Sequence, residues 1–296
     1  MKPYICIDIG GTAIKYGVIE NEKIIEKAVI DTPKGGPKIL EKTKEIIETY
    51  LKRGSYGGVC ISTAGMVDVE NGRIFHAADT IPDFKGTEFK KEIETSFKIT
   101  CEIENDVNCA GLAESISGAG KGCKSILCLT IGTGIGGCAV IGGEVLHGFT
   151  GSACEIGYMR IPGGVFEKLG AASVLTQKVA EKKGEDRLKW SGIHIFEEAK
   201  KNDKICIEAI DEMCDVLGLG IANLCYILNP QKVVLGGGIM AQEDYLYPRI
   251  RKAMDKYLIP VLAENTELAM AEHKNNAGML GAYYHFMKRQ QKRGKL

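Results

Sequence analysis

The stretch Leu127-Cys-Leu-Thr-Ile-Gly-Thr-Gly-Ile-Gly-Gly137, which continues into Cys138-Ala-Val-Ile141, places a glycine cluster between two short apolar runs. Runs this short that are rich in Ile, Leu and Val favour two strands over helices. The glycines remove side chains, so backbone N–H groups can approach an anion closely, and Thr130 and Thr133 add hydroxyl donors. The stretch predicts a hairpin that holds phosphate, although an ordinary glycine-rich turn fits the same residues.

Two nearby glycine patterns resemble other phosphate-binding motifs. Gly132, Gly134 and Gly137 have the G-x-G-x-x-G spacing of dinucleotide-binding proteins, but that motif opens a helix, whereas these glycines lead into a strand-like run. Gly118 to Ser125 nearly matches a P-loop, but Cys123 stands where the second glycine is needed and no clear strand precedes it. We interpret the first pattern as part of the hairpin and the second as a surface loop.

A second stretch, Tyr4-Ile-Cys-Ile-Asp-Ile-Gly-Gly-Thr-Ala-Ile-Lys-Tyr-Gly-Val-Ile19, repeats the order of strand, Ile-Gly, Gly-Thr and strand near the N-terminus. Asp8 stands just before its turn. Self-similarity within one chain indicates a repeated structural unit. The repeat predicts two similar half-structures that face each other and hold phosphates between them.

Composition restricts the classes of protein that fit. The chain has 296 residues, which is more than one core of typical size holds, so we expect two domains. Its formal net charge of zero argues against a nucleic-acid partner or a membrane surface, and no apolar segment is long enough to span a bilayer. The N-terminus enters a strand that contains Asp8, so we expect no secretory signal and a cytoplasmic location.

Eleven cysteines are spread along the chain, and none forms a Cys-x-x-Cys pair. Several of them, including Cys6, Cys60, Cys128 and Cys225, stand in apolar runs. This usage is typical of reduced cysteines that fill a core as small residues, and it argues against disulfides or a structural metal site.

Hydrophobic periodicity predicts alternating strands and helices. Thr87 is predicted to start a helix, because polar and charged residues follow it at the spacing of a helix N-terminus. Asn105 and Asp106 stand where a strand stops, and such carboxyl ends face the ligand crevice in α/β folds. The segments predicted with most bearing on the fold are helices Lys38–Leu51, Thr87–Phe97 and Ile205–Asn229, buried strands Val59–Gly65 and Lys232–Ile239, an irregular loop Ala77–Lys85 and a final helix Asn276–Lys288.

Five motifs occur in the order found in sugar kinases of the ROK family, which the chain resembles over essentially its whole length. They are Asp8-Ile-Gly-Gly-Thr12, Glu104-Asn-Asp-Val-Asn108, Leu129-Thr-Ile-Gly-Thr-Gly-Ile-Gly-Gly137, Glu155-Ile-Gly157 and Leu235-Gly-Gly-Gly238. The resemblance implies an α/β, two-lobed actin/hexokinase-like (ribonuclease H-like) fold with a duplicated mixed sheet flanked by helices. It implies a small lobe of residues 1–115 plus 277–296, a large lobe of residues 116–276, and a homodimer.

The same resemblance implies transfer of the ATP γ-phosphoryl group to the 6-hydroxyl of a hexose. A sugar hydroxyl is a poor nucleophile and needs a carboxylate that accepts its proton. Asp106 is the predicted base; its residue type alone fits a helix N-cap equally well. Asn105 would donate to and accept from sugar hydroxyls. The resemblance adds sugar contacts from Gly65, Glu155 and Glu167, and a solvated helix acid stays an alternative for Glu167.

For the nucleotide, the resemblance implies that Asp8 organises Mg²⁺, through water because Mg²⁺ keeps much of its hydration shell. Lys15 would add positive charge, or would point to solvent. Gly236, Gly237 and Gly238 would let adenosine lie against the backbone, a role compatible with an ordinary turn at a helix start. The residues implied for the ATP phosphates are Gly10, Gly11 and Thr12, with Gly132, Thr133 and Gly134.

The chain departs from the family pattern at one place. Many members carry a His shortly after the counterpart of Glu155, which binds structural zinc together with a nearby cysteine cluster. Here Tyr158 stands at the His position and residues 160–172 contain no cysteine, so we expect no zinc. We expect packing by Phe166 and Leu169 to hold this loop, and Tyr158 to offer an aromatic face near the anomeric end of the sugar.

The pattern without zinc ligands resembles two subsets of the family. The β-glucoside kinases share the runs Gly157-Tyr-Met159 and Gly281-Ala-Tyr-Tyr-His-Phe286. The bacterial N-acetylmannosamine kinases share Ser62-Thr-Ala-Gly65, Ile81-Pro82…Gly86-Thr87, and Phe166-Glu167 followed by Ala172-Ser173. An aromatic residue can stack on a second ring, so we favour a β-glucoside or glucose-type substrate, with N-acetylmannosamine as the alternative.

Three other classes of protein are alternatives to a sugar kinase. A transcriptional regulator would need an N-terminal helix-turn-helix, whereas the phosphate hairpin starts within a few residues of Met1. A chaperone-type ATPase would need a peptide-binding domain for which 296 residues leave no room. A non-catalytic sugar sensor is the alternative from another class, and the presence of Asp106 argues against it.

Overall fold

The computed structural model describes residues 2–77 and 81–294, so residues 78–80 of the loop predicted at Ala77–Lys85 lie outside the described residues. The strands are β1 Tyr4–Ile9, β2 Ala13–Glu20, β3 Lys23–Asp31, β4 Val59–Thr63, β5 Met66–Asp68, β6 Arg73–His76, β7 Cys101–Asn105, β8 Ser125–Ile131, β9 Ile135–Ile141, β10 Glu144–Val145, β11 Arg160–Ile161, β12 Gly164–Val165, β13 Lys232–Gly236 and β14 Glu267–Met270. The α-helices are α1 Gly36–Leu51, α2 Phe89–Phe97, α3 Asp106–Ser117, α4 Phe166–Gly170, α5 Ala172–Lys183, α6 Gly192–Lys200, α7 Lys204–Leu228, α8 Glu243–Tyr257, α9 Pro260–Asn265 and α10 Ala277–Lys292. Among the described residues, no helix is both long and apolar enough to cross a bilayer.

The chain forms two compact units. The first comprises Met1–Ala113, Val145–Ala153 and Asn275–Leu296, and the second comprises Glu114–Glu144 and Cys154–Lys274. Residues 145–153 group with the first unit because His147 hydrogen-bonds Glu104 and Gly151 packs against the backbone of Val67. The lobe boundaries inferred from the sequence stay a prediction, and they differ from these units in that segment.

The first unit is built on a mixed sheet with strand order β3-β2-β1-β4-β7, in which β1, β4 and β7 run parallel and β2 and β3 run antiparallel to their neighbours. Alternation along β1 sends Ile5, Ile7 and Ile9 to one face, where they pack in a core with residues of α1. The intervening Cys6 and Asp8 therefore belong to the opposite face, which α10 covers.

The second unit repeats this topology with strand order β10-β9-β8-β13-β14. Again three strands, β8, β13 and β14, run parallel, and β9 runs antiparallel to β8. Its core includes the fully buried ring of Phe166, which packs against Gly220 of α7. Leu169 packs on the same core, so the two anchors predicted for this loop are confirmed. The internal repeat predicted from the two glycine-rich hairpins is present in both sheets.

Local signals in the sequence locate several helix ends. Asp203 caps α7 by accepting from the N–H of Cys206, and Asn229 ends it in the left-handed conformation, just before Pro230. The start predicted at Thr87 was wrong, because α2 begins at Phe89. The Thr87 hydroxyl donates to the carbonyl of Phe84 and so joins the preceding turn.

Helix α10 approaches the first sheet closely because it carries glycines on that side. A Cβ built on Gly281 would overlap the backbone carbonyl of Cys109 in α3. At its other end, Gln290 and Arg293 hydrogen-bond the fully buried carboxylate of Glu102. Lys90 completes this cluster at 2.8 Å from Glu102. The helix is therefore held by close backbone packing at one end and by a buried ion cluster at the other.

We expect Gly281→Ala to lower the free energy of unfolding of the first unit by about 2 kcal/mol, because the new methyl group must displace backbone and overpacking costs roughly 1–3 kcal/mol. Urea unfolding monitored by circular dichroism measures the change. Gly54→Ala is the matched control, since a Cβ there meets no atom within 4 Å. Equal midpoints for Gly281→Ala and the wild type would contradict this account of α10.

Candidate active site

A row of four polar side chains crosses the first sheet on the face that α10 covers. Strand register pairs Asp8 of β1 with Lys15 of β2 and with Ser62 of β4, and it pairs Ser62 with Glu104 of β7. Residues directly opposite on neighbouring strands project to the same face. The row lies near the carboxyl ends of the parallel strands, where α/β folds place their ligands.

Asp8 is the centre of the first half of this row. One carboxylate oxygen accepts a hydrogen bond from Ser62 Oγ at 2.7 Å, and the other lies 3.4 Å from Lys15 Nζ. The Lys15 side chain therefore faces Asp8, which resolves the orientation that the sequence left open. A Cβ on Gly278 of α10 would overlap the Asp8 carboxylate, so this helix position accepts only glycine without displacing Asp8.

Asn105 and Asp106 form the junction between β7 and α3. The side-chain oxygen of Asn105 accepts from the N–H groups of Val107 at 2.9 Å and Asn108 at 3.0 Å, so Asn105 caps the helix. Asp106 Oδ1 also accepts from the N–H of Val107, at 3.0 Å, so both side chains bond the first turn of α3. The Asn105 amide nitrogen donates to Asp106 Oδ1 at 3.0 Å and to the carbonyl oxygen of Gly65 at 2.9 Å. Three of the predicted sugar-site residues are thereby brought together.

Glu104 ends the polar row as a buried carboxylate with partners from three parts of the unit. Oε1 accepts from the N–H of Asn105 at 2.8 Å and from Asn108 Nδ2 at 3.1 Å. Oε2 accepts from Nε2 of His147 at 2.6 Å, and Nδ1 of His285 in α10 lies 3.4 Å away. The sequence motif that contains Glu104 did not predict a role for this residue or for either histidine.

The charges in this cluster follow from its geometry. Burial alone would raise the pKa of Glu104, but the hydrogen bond from His147 and the two nearby imidazoles hold that pKa below its ordinary value. The bond to Glu104 raises the pKa of His147 against the effect of its own burial. Burial lowers the pKa of His285. The network therefore favours an ionised Glu104 paired with a protonated His147.

The first glycine-rich turn, between β1 and β2, is also held from within its unit. The N–H of Gly10 donates to the carbonyl of Ala13 at 3.0 Å, and Thr32 Oγ1 donates to the carbonyl of Gly10 at 2.7 Å. Thr32 also donates its N–H to the carbonyl of Thr12. Gly11 is exposed, and a Cβ there would meet open space. The predicted phosphate-binding residues of this half thus form one ordered turn.

The second hairpin joins β8 to β9 and brings together predicted residues of the second unit. The N–H of Gly132 donates to the carbonyl of Gly134 at 2.9 Å, and Ser173 Oγ donates to the carbonyl of Thr133 at 2.6 Å. A Cβ on Gly134 would lie 2.7 Å from a carboxylate oxygen of Glu167. The Glu167 side chain is 22% exposed, and Oε1 lies 3.2 Å from Lys168 Nζ.

Glu155 and Tyr158 lie at the two ends of a short 3₁₀ turn in the same unit. Both are exposed, with 56% of Tyr158 accessible to solvent. Gly157, between them, packs so tightly on the backbone of Ile135 that a Cβ would overlap it, and the Glu167 carboxylate lies beside it. This turn is consequently fixed on the hairpin while its two polar ends stay accessible.

A cavity of about 500 Å³ opens beside this hairpin, and a volume of this size is typical of small-molecule sites. Of the three glycines predicted for adenosine, Gly238 lines it. Gly236 ends β13, and Gly237 has φ +99° and packs on the carbonyl of Ile131, so these two shape the turn. Gly132 and Thr133 also line the cavity, with residues that sequence reasoning missed: Ala172, Ser173, Thr176, Ser191, Gly192, Ile193, Phe196, Ile239, Ala241 and Gln242.

The order of elements, the two glycine-rich turns and the β7–α3 junction can be compared with known proteins. A sequence model of the ROK family matches residues 4–289. The chain belongs to the ROK family. An uncharacterized relative from Clostridium perfringens is 48% identical, covering 97% of this chain and 98% of its own. A β-glucoside kinase of Listeria monocytogenes is 32% identical, covering 95% of this chain and 96% of the relative.

Solved structures of ROK proteins share this fold. A Listeria monocytogenes protein thought to be an N-acetylmannosamine kinase superposes with a TM-score of 0.89 at 31% identity, over 98% of this chain and 100% of its own. A ROK glucokinase of Streptomyces griseus in complex with glucose and AMPPNP gives 0.83 at 25% identity, over 95% and 97%. The predicted actin/hexokinase-like α/β fold with a duplicated mixed sheet flanked by helices is confirmed.

The Glu104–His147 pair predicts how stability depends on pH. A histidine whose pKa rises on folding stabilises fully below its unfolded value, near 6.5, and loses that contribution as pH rises through its native pKa. We therefore expect the free energy of unfolding to fall as pH rises above about 6.5, through the raised native pKa of His147. Each tenfold gain in proton affinity on folding is worth about 1.4 kcal/mol. On the acid side, the lowered pKa of Glu104 predicts a loss as pH falls below about 4.5.

Urea unfolding of the wild type and His147→Gln between pH 4 and 9 measures this dependence. The variant removes the titrating imidazole, so its profile should be flatter on the alkaline side. His273→Gln is the control, because His273 hydrogen-bonds Ser117 in the second unit and does not contact Glu104. Parallel profiles for wild type and His147→Gln would show that the Glu104–His147 pair makes no pH-dependent contribution to the free energy of unfolding.

Proposed function

We propose that this ROK-family chain is an ATP-dependent sugar kinase that phosphorylates the 6-hydroxyl of a hexose unit, with a β-glucoside (cellobiose-type) or glucose-type acceptor. The observation that carries the proposal is the placement of Asp106 at the carboxyl end of β7, in the first turn of α3. The Asp106 carboxylate accepts from Asn105 Nδ2 and from the N–H of Val107, and these bonds hold it in place at the strand end for the role of general base.

In the proposed reaction, Asp106 accepts the proton of the sugar hydroxyl as that oxygen attacks the γ-phosphorus. Phosphoryl transfer of this kind depends chiefly on positioning and on electrostatic stabilisation. The Asn105 amide supplies the positioning, since it bonds both Asp106 and the Gly65 carbonyl. All four hydrogen-bonding positions of that amide are engaged inside the protein, so a sugar hydroxyl bound by Asn105 would share them.

Each unit has its own residues with a proposed role in nucleotide binding. Gly10, Gly11 and Thr12 and the hairpin at Gly132–Gly134 would hold phosphates with backbone N–H groups. Adenosine would occupy the cavity of about 500 Å³. The glucokinase of Streptomyces griseus carries AMPPNP, an ATP analogue, which supports ATP as the donor.

Asp8 fits the proposed role of Mg²⁺ organiser by the chemistry of its donors. Its carboxylate is 13% exposed and is oriented by Ser62 and Lys15. The described residues contain no group of three or more His, Cys, Asp or Glu that could hold a metal ion. One carboxylate suits a cation that keeps most of its water and is otherwise bound by phosphates. When bound, Mg²⁺ neutralises charge that develops on the transferred phosphoryl group.

The residues proposed to contact the sugar offer mainly carboxylate and amide groups. Gly65, Asn105 and Asp106 belong to the first unit, and Glu155 and Glu167 belong to the second. Carboxylates that accept two hydroxyl hydrogen bonds each are suited to a polyhydroxylated ligand. The position of Glu167 beside the phosphate hairpin would bring a sugar hydroxyl and the phosphate donor to the same region of that unit.

The acceptor class is inferred from Tyr158 and from the named relatives. The exposed ring of Tyr158 can stack on a second sugar ring or an aglycone, which favours a β-glucoside. N-acetylmannosamine is the alternative acceptor, supported by sequence runs shared with that subset and by the Listeria neighbour. A non-catalytic sugar sensor is the alternative from another class. We further propose a cytoplasmic homodimer, which rests on resemblance to the family and can be tested by analytical ultracentrifugation.

The deciding measurement is ADP release with Mg-ATP over glucose, cellobiose, gentiobiose, N-acetylmannosamine, N-acetylglucosamine and fructose. We expect turnover on glucose or the disaccharides, and we expect Asp106→Asn to lose about 100- to 10,000-fold in kcat because it cannot take the proton. Asp244→Asn is the matched control, since Asp244 stands in the first turn of α8 and is exposed. Turnover on N-acetylmannosamine alone would select the alternative acceptor, and ATP binding with no turnover would leave the sensor.

Tyr158 gives a separate test of the acceptor class. We expect Tyr158→Ala to raise the KM for a β-glucoside about fivefold, a loss typical of one aromatic stacking contact of about 1 kcal/mol, while KM for ATP stays the same. Tyr158→Phe keeps the ring face and should behave like the wild type. If the alanine variant kept its disaccharide KM, the aromatic face would play no part in specificity.

A further inference from the structure

Two histidines reach the same carboxylate from different parts of the first unit. His147 comes from the segment Val145–Ala153 and donates to Glu104 Oε2 at 2.6 Å. His285 comes from α10, and its Nδ1 lies 3.4 Å from the same oxygen. Glu104 itself is 1% exposed, so its charge has to be balanced by these neighbours.

The two histidines are not equivalent. His285 is buried, and its Nε2 has no hydrogen-bond partner among the residues that the structure describes. An imidazolium there would leave a charged N–H unsatisfied, and burial indeed lowers the pKa of His285. His147 keeps 30% of its side chain exposed and donates the shorter hydrogen bond. The geometry therefore makes His147 the residue that carries the compensating positive charge.

A continuous chain of hydrogen bonds leads from His147 to the proposed base. Glu104 accepts from His147 through one oxygen and from the N–H of Asn105 through the other. Asn105 in turn donates from its amide to Asp106 Oδ1 at 3.0 Å. Glu104 also accepts from Asn108 Nδ2, and this bond fixes the first turn of α3 to the same carboxylate. An ionised Glu104 suits this arrangement, because it accepts from Asn105 and Asn108 at one oxygen and from His147 at the other.

We propose that His147 is a positioning residue for phosphoryl transfer: through Glu104 and Asn105 it sets the place of the Asp106 carboxylate and ties the segment Val145–Ala153 to the base. This inference rests on the proposed role of Asp106. The segment closes on itself, since the N–H of Ala153 donates to the carbonyl of His147 at 3.1 Å. A displacement of the segment Val145–Ala153 would therefore reach Glu104 through the imidazole ring of His147.

The proposal has a pH signature of its own. The charged and titratable groups that face His147 are Glu104 from β7 and His285, Arg289 and Lys292 from α10. Only Glu104 favours the protonated form, whereas the two basic residues oppose it. As pH rises and His147 loses its proton, Glu104 loses the positive charge of its hydrogen-bonded partner, and its hold on Asn105 weakens. Activity should therefore decline on the alkaline side at the pKa of His147.

Steady-state kinetics of His147→Gln between pH 5.5 and 9.5 test the proposal. The amide keeps a donor for Glu104 but carries no proton that titrates. We expect kcat at pH 7 to fall about 10- to 100-fold, as for a modest misplacement of a catalytic group, with the KM for ATP unchanged. We also expect the alkaline decline to disappear. His273→Gln, a hydrogen-bonded histidine of the second unit, should match the wild type.

An unchanged kcat with the alkaline decline intact would overturn the positioning role. A lower kcat together with higher KM values for ATP and for the sugar, without any change in the pH profile, would also overturn it. That result would indicate a general structural defect. The assay in the wild type separates this inference from the proposed function, because failure of wild-type turnover on every sugar refutes the function alone.

Amide hydrogen exchange tests the coupling without any turnover. We expect His147→Gln to lower protection of the N–H groups of Asn105, Val107 and Asn108 about tenfold or more, because these are the donors organised by Glu104 and Asn105. The N–H of Cys206, capped by Asp203 in α7, is an internal reference that should not change. Unchanged protection at the β7–α3 junction would refute the coupling whether or not the protein is a kinase.

Discussion

The buried carboxylate of Glu104 is the constraint on which the first unit depends. Removing an ionised carboxylate from water costs several kcal/mol unless hydrogen bonds and opposite charge replace the solvent. Those partners come from the β7–α3 junction, from His147 and from α10, so one charge fixes three segments distant in sequence. Glu102, two residues earlier on the same strand face, holds the far end of α10 through Gln290 and Arg293 in the same way. Buried charges and their hydrogen-bond partners, together with packing, thus stabilise the face of the sheet that bears Asp8.

The two units use one topology for different chemistry. Each has a mixed sheet with the same strand order and a glycine-rich turn after its first strand. In the first unit the corresponding sheet face carries a polar row that ends in Glu104, next to the proposed base. In the second unit the helices that follow the hairpin build a cavity with small side chains such as Ala172 and Ser173. A repeated scaffold therefore leaves function to the side chains at strand ends, as is common in α/β proteins.

Packing explains how the loop after Tyr158 is ordered in this ROK-family chain. Phe166 is fully buried against α7, where Gly220 leaves room for its ring. Its neighbour Glu167 is thereby carried to the hairpin, beside Gly134. A single buried aromatic residue thus positions a carboxylate that has a proposed role in sugar binding. The dependence of a polar site on an adjacent apolar anchor follows from the density of protein interiors, which transmits small shifts.

The sequence by itself determined the local elements, the internal repeat, the family and, through Asp8, Asn105 and Asp106, the strand ends where the site lies. These features depend on neighbouring residues and on periodicity, which are local properties. Only the tertiary structure decided that Asn105 accepts from two N–H groups at the start of α3, that Lys15 faces Asp8, and that His147 pairs with Glu104 across 43 positions of sequence. Such contacts arise when chain folding brings distant segments together, and the pattern around each residue carries no signal for them. The start of α2 was wrong for a related reason, because the Thr87 hydroxyl bonds to the preceding turn instead of to the helix.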